Sequence, residues 1–326
     1  MIRSLPLPKA FQKGPPARRT LVRAMQVVFW LAALAALAYA YRANEAAIVE
    51  ALSRVSPVAL AAACAVAALG AVPGALAWVA LARAGGMPVP WGRGTAIYLV
   101  SNLGKYVPGG FWAILSQAAH ARPWGMTLPR AAGLFLLAML CALLAAGLVG
   151  LPAFLGAFRI EGALAAALVV VALLGAAAAL KLLPFLAGIA ARRLPFVPDE
   201  SLLARLDTAS LSRATAIMLV AWPLTGLHLA ILAAPFSDDV IFLVSAYAFA
   251  SALSLVLPIL PAGLGAREGA LMACLVVVMP AAEAAVIVVL SRLVVTMVEL
   301  AAAALASLVR PERHIEATPA LDTERP

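Results

Sequence analysis

A chain of 326 residues that is 65% hydrophobic and only 12% charged, with a mean hydropathy of +1.02, is not a soluble globule; soluble domains carry about 25% charged residues. The net charge of +9 does not point to nucleic acid, because the basic residues gather in the N-terminal tail, in the 184–213 connection and near helix ends rather than on one solvated face. That distribution orients a protein in a bilayer and meets anionic headgroups. Cys64, Cys141 and Cys274 and the three histidines are scattered through the sequence without metal-ligand spacing, so no disulfide, metal site or cofactor is expected.

Taken in order, residues 1–22 read as a basic cytoplasmic tail with Lys9, Lys13, Arg18 and Arg19. The apolar run that follows is longer than the ~7–15 residues of a signal-peptide core, so residues 23–41 are predicted to be a retained first helix running outward. A second helix over 57–81 returns to the cytoplasm, where Arg83 and Arg93 lie. Residues 91–124 differ. The apolar pieces 95–103 and 111–119 are each too short to cross a core of ~30 Å, and Lys105, Pro108, Gly109 and Gly110 break them in the middle. This predicts a re-entrant helical hairpin opening to the cytoplasm.

Helices over 131–151 and 163–183 follow, and the polar connection 184–213 divides the membrane domain, 23–309, into halves 23–183 and 214–309. The fifth helix, 214–234, carries Pro223 and His228. It leads to Ser237, Asp238 and Asp239, a loop without Lys or Arg that fits the outer face. Residues 240–257 and 271–279 flank a second break and predict a second hairpin, entered from outside. The last helix, 281–309, returns inward to a polar tail, 310–326. The expected fold is all-α and polytopic, with about six spanning helices and two re-entrant hairpins in an inverted repeat, both termini cytoplasmic. The alternative lets the hairpin arms cross, giving about eight spans.

Both breaks concentrate the residues able to carry function. The second holds Pro258, Pro261, Gly263, Gly265, Arg267, Glu268 and Gly269. Broken backbone and charge at membrane depth need protein or water to satisfy them, and two such segments in corresponding places mark a transporter's binding site. Arg267 offers a planar, permanently ionised fork to an anion. Glu268 either holds Arg267 or neutralises the empty site. The glycines allow close backbone approach and leave amides free at a half-helix N-terminus.

Lys105 is the counterpart in the first break, with Gly104 beside it and Asn102 and Tyr106 as hydrogen-bonding neighbours; its competing reading is a lysine snorkelling to the interface. Arg292 and Glu299 share a face of the last helix. Arg292 pairs with Glu268, Glu283 or Glu299, or contacts substrate, and Glu299 is an ion-pairing partner. His228 is expected to bond a backbone carbonyl rather than relay protons. Trp91, Trp112 and Trp124 are expected as interface anchors.

Two motifs carry a family resemblance: Asn102 to Trp112, with Gly104, Lys105, Tyr106, Pro108 and Gly109, and Leu260 to Gly269, with Pro261, Gly263, Gly265, Arg267 and Glu268. Together they resemble the membrane family related to the transmembrane flippase region of lysylphosphatidylglycerol synthases, the multiple peptide resistance factors. The resemblance covers the chain from the first helix to the last. It implies a protein of the bacterial inner membrane that moves or binds an anionic lipid. In that family lipid aminoacylation belongs to a separate soluble domain after the membrane region; only a short tail follows Val309, so that activity is not expected here. Gly110 stands where the subgroup with Gly–Lys–Tyr–x–Pro–Gly often has a lysine, which removes one anion contact.

The expectation from residues and resemblance together is a flippase-like transporter or binder of an anionic lipid, either a phospholipid or a polyprenyl-phosphate-linked sugar, and not an enzyme. One alternative is an accessory subunit that docks an envelope glycosyltransferase through the basic connection. The other is a membrane transferase using Glu268, for which the sequence supplies no evident partner acid or histidine.

Overall fold

The computed structural model describes residues 45–106, 111–193, 202, 205–256 and 265–308. The predicted tails, the first helix at 23–41 and both centres of the breaks, Pro108 to Gly110 and Pro258 to Gly263, lie outside the described residues. The chain divides into two compact units, residues 1–53 and 54–326. Helix α1 (Glu45–Arg54) has Glu45 in its first turn and Arg54 in its last, each matched to the helix dipole.

All regular structure among the described residues of the second unit is helical. It comprises α2 (Pro57–Ala84), α3 (Trp91–Asn102), a 3-10 turn (Leu103–Tyr106), α4 (Trp112–His120), a second 3-10 turn (Arg122–Trp124) and α5 (Leu128–Ala157). Then come α6 (Gly162–Arg193), α7 (Thr208–Ala233), α8 (Val240–Val256), α9 (Ala266–Leu275) and α10 (Ala281–Ser307). Local chemistry sets the starts. Ser56 accepts from the Ala59 N–H, Thr127 from that of Arg130 and Asp207 from that of Ser210, and Pro57 and Pro129 stand in first turns, where a missing N–H costs nothing.

Among the described residues five helices are long and apolar enough to cross a membrane: Pro57–Ala84, Leu128–Ala157, Gly162–Phe185, Thr208–Ala233 and Ala281–Ser307. The chain is thus an all-helical, polytopic membrane protein. By contrast α3, α4 and α9 hold 12, 9 and 10 residues. At 1.5 Å per residue they reach about 14–18 Å, well short of a ~30 Å core. These short helices lie beside the two segments where glycine, proline and charge coincide in the sequence.

Several helices run beyond expectation: α5 extends the predicted 131–151 to 128–157, and α7 starts at Thr208 rather than at 214. The helix predicted over 163–183 continues through Pro184 to Arg193, so the first ten residues of the presumed polar connection are helical. Alanine and arginine beyond the proline are strong helix formers. Proline also sits inside α2 (Pro73), α5 (Pro152) and α7 (Pro223), as membrane helices tolerate.

The packing repeats when α2–α5 are exchanged for α7–α10. Helix α2 lies on α7; α3 lies on α10 as α8 lies on α5; α2 touches α3 and α10 as α7 touches α8 and α5. Two buried clusters among the described residues each draw on both sets of helices. One is built on Trp78, Leu81, Leu134, Cys141 and Leu211, the other on Leu229, Leu243, Leu271, Cys274 and Ile287, and Trp222 touches both. Glycine brings the helices together. A Cβ on Gly70 of α2 would strike the Thr225 backbone, and one on Gly150 of α5 would strike that of Phe249 on α8.

Candidate functional site

Each break brings a polar side chain to α10. The 3-10 turn after α3 carries Lys105 and Tyr106, and it fits there because Gly104 packs directly on the start of α4. A Cβ at Gly104 would sit 2.4 Å from the Ala113 nitrogen. The Lys105 ammonium donates to Glu299 Oε1 at 2.5 Å, and the Tyr106 hydroxyl donates to Glu299 Oε2 at 2.7 Å, with Thr296 Oγ1 3.3 Å away. Both oxygens of one carboxylate on α10 are thereby held by the first break.

The second break is held from the other direction. Gly265 adopts φ 85 at the start of α9, a left-handed conformation that suits glycine. The Gly265 N–H donates to Glu268 Oε2 at 2.8 Å, the reach-back half of a capping box. Glu268 Oε1 accepts from Arg292 Nη1 of α10 at 3.2 Å. Arg292 and Glu299 are seven residues apart on one face of α10, with Thr296 between them, so this helix binds both breaks.

Arg267 is placed differently. It is 9% exposed, and its guanidinium carbon lies 4.8 Å above the centre of the Tyr247 ring of α8. Among the described residues it has no carboxylate within ion-pair distance. The Tyr247 face partly offsets its charge, a contact worth about 0.5–2 kcal/mol. Tyr247 is in turn set edge-on against His228, with ring centroids 4.8 Å apart. His228 is fully buried; its Nδ1–H donates to the Thr225 carbonyl and its Nε2 lies 2.8 Å from Ser291 Oγ of α10, which fixes the ring.

Three cations, Lys105, Arg267 and Arg292, and two carboxylates thus share one cluster. Lys105 feels Arg267, Arg292 and Glu299, and Tyr247 feels Arg267, Glu299 and Arg292. Tyr106 forms a wall between the cations, its ring 5.4 Å from the Lys105 ammonium and 5.8 Å from the Arg292 guanidinium.

Of the residues singled out in the sequence, Lys105, Tyr106, Arg267, Glu268, Arg292 and Glu299 come together. Lys105 is tied to Glu299 rather than left to snorkel, and Arg292 takes Glu268 among its three candidate acids. His228 bonds a backbone carbonyl, as expected. Asn102 ends α3 half-buried, with no side-chain hydrogen bond among the described residues. Two glycine expectations are corrected. The Gly265 amide is not free, because the Glu268 side chain reaches back to it, and the Gly269 amide donates to the Gly265 carbonyl at 2.8 Å.

Sequence reasoning passed over Tyr247, Thr296 and the buried pair in which Trp78 Nε1 donates to Gln117 Oε1 at 3.2 Å, tying α4 to α2. Their signal was there: a polar side chain within an apolar segment needs a partner.

These features define a polytopic helical membrane protein whose two broken segments converge on a cation-rich cluster braced by its last helix. The chain belongs to the family described as the lysylphosphatidylglycerol synthase TM region, whose sequence model matches residues 23–303. No curated protein matches it significantly.

Proposed function

We propose that the protein binds the anionic headgroup of a membrane lipid at this cluster and moves it as a flippase-like transporter of the bacterial inner membrane, without acting as an enzyme. In this reading the short helices around each break form re-entrant hairpins, and the repeated packing of α2–α5 and α7–α10 is an inverted repeat whose halves rock to expose the site alternately. The observation that carries it is Arg267: a buried guanidinium, oriented on Tyr247, with its fork unclaimed by a carboxylate among the described residues. A buried charge with no carboxylate in direct contact is costly, so a site retaining one is suited to receiving an anion. The family membership supports the same reading.

Glu268 supports the non-enzymatic half of it. Both of its oxygens are engaged, one by the Gly265 N–H and one by Arg292, which leaves it poorly placed to take a proton from a substrate.

Native mass spectrometry of lipids retained by the purified protein tests the proposal. Charge-assisted hydrogen bonds are each worth about 1.5–3 kcal/mol. Arg267→Ala should therefore weaken retention of anionic lipid by roughly ten- to a hundredfold while membrane insertion is unchanged. Full headgroup translocation in vesicles by the Arg267→Ala/Lys105→Ala variant would overturn it.

A further inference from the structure

The charge balance of the cluster bears on which anion it accepts. Among the described residues, Lys105, Arg267 and Arg292 oppose Glu268 and Glu299, leaving one positive charge in excess. The sequence of the two breaks adds nothing to this balance, since residues 107–110 and 257–264 contain only apolar residues, proline and glycine. His228 adds nothing either when it is bonded as the neutral imidazole, Nδ1–H donating to Thr225 and Nε2 accepting from Ser291. Nor does a proton passing along the 2.5 Å Lys105–Glu299 contact change the sum.

An occupant with one negative charge brings the cluster to neutrality. A phosphate monoester, with about 1.5 to 2 negative charges near neutral pH, or a diphosphate would leave an excess of the opposite sign at a partly buried site, where Arg267 is 9% exposed and the Glu299 side chain 15%, and imbalance there is costly.

The two carboxylates are not equivalent in this. Glu268 is built into the first turn of α9 through the Gly265 N–H, so its removal would also unmake that turn. Glu299 is held by the side chains of Lys105 and Tyr106 alone among the partners seen here, and it can change charge with the backbone left in place. We infer that the site selects a phosphodiester monoanion over a phosphate monoester or diphosphate, and that Glu299 is the residue that sets this preference by cancelling one of the three cations. The inference rests on the anion-binding reading above and narrows it. Phosphodiesters of two kinds qualify, the headgroup of a diacyl phospholipid and a sugar joined to a polyprenol through a single phosphate.

The experiment offers the purified full-length chain equal amounts of phosphatidylglycerol, phosphatidic acid with the same acyl chains, a polyprenyl-phosphate-linked hexose and phosphatidylcholine, and reads retained lipid by native mass spectrometry at neutral pH. The wild type should favour a phosphodiester monoanion over phosphatidic acid by about tenfold, and Glu299→Gln should move that ratio about tenfold towards phosphatidic acid. Lys105→Gln/Glu299→Gln leaves the same excess charge as the wild type and no unpaired lysine, and should restore the wild-type ratio. That variant also keeps the inference testable where Glu299→Gln does not fold.

Equal retention of phosphatidic acid and phosphodiester by the wild type, an unchanged ratio in Glu299→Gln, or a double variant without the preference would overturn the inference and leave anionic-lipid binding standing. No enrichment of any anionic lipid over phosphatidylcholine would sink both. Whichever phosphodiester is enriched identifies the source.

Discussion

Gly70 and Gly74 stand one turn apart on α2, and alanine should move stability in opposite directions at the two. Both are buried within a helix, where alanine in place of glycine gains roughly 1 kcal/mol of propensity. At Gly74 the new methyl would sit 3.5 Å from the Tyr98 hydroxyl, an ordinary contact, so that gain is retained. At Gly70 it would lie 2.3 Å from Thr225 Oγ1, 2.6 Å from Thr225 N and 2.7 Å from Thr225 Cα. Backbone cannot swing aside as a side chain can, so α2 and α7 must part by nearly an ångström to reach van der Waals distance. Overpacking of this kind costs about 1–3 kcal/mol. Taking the upper end, Gly70→Ala should be destabilised by about 2 kcal/mol net, and the two variants should differ by about 3 kcal/mol. Reversible unfolding in mixed micelles measures both. The decisive control is Gly70→Ala/Thr225→Ala, which removes the Oγ1 contact and leaves the two backbone contacts. Full rescue by Thr225→Ala, or equal effects at Gly70 and Gly74, would refute the argument that backbone approach fixes this crossing.

Gln117→Leu leaves the buried Trp78 indole N–H without its acceptor, a loss of about 1–3 kcal/mol; Trp78→Phe/Gln117→Leu should recover much of it in thermal unfolding, because neither partner is then orphaned. Asp207, just before α7, accepts from Ser210 Oγ at 2.6 Å and Ser210 N at 2.9 Å, and these bonds, the hydroxyl's first, hold its carboxyl below the ordinary range. A lowered carboxylate stabilises fully above its unfolded value and loses that contribution as pH falls through the folded one. Thermal stability of the wild type should therefore decline relative to Asp207→Asn as the pH drops below the ordinary carboxylate range, and parallel curves for the two would refute the cap's ionic character.

The spanning helices were readable because a bilayer demands about 20 apolar residues in a row, and 57–84, 128–157 and 281–307 supply them. The breaks were readable for the opposite reason, since Gly104 and Lys105, and Gly265 with Arg267 and Glu268, interrupt that pattern where nothing local compensates. Partner choice was not. Arg292 faced three candidate acids in sequence, and only the seating of α9 against α10 brings Glu268 to it rather than Glu283 or Glu299. Lys105 and Glu299 are 194 positions apart, and no periodicity connects them. Tyr247 was hidden because a tyrosine in an apolar helix looks like core until the cation above it is seen. The end of α6 was misjudged because the charges of 184–213 read as a polar connection, whereas the alanines and arginines after Pro184 continue the helix.

The two anchorages on α10 lie two helical turns apart, about 10 Å along a rigid rod. A rod hands displacement from one point to another with little loss. Anything that prises Lys105 from Glu299 and shifts the rod must therefore load the Arg292–Glu268 contact as well. The two broken segments are geared together through one shaft, and neither is sprung on its own.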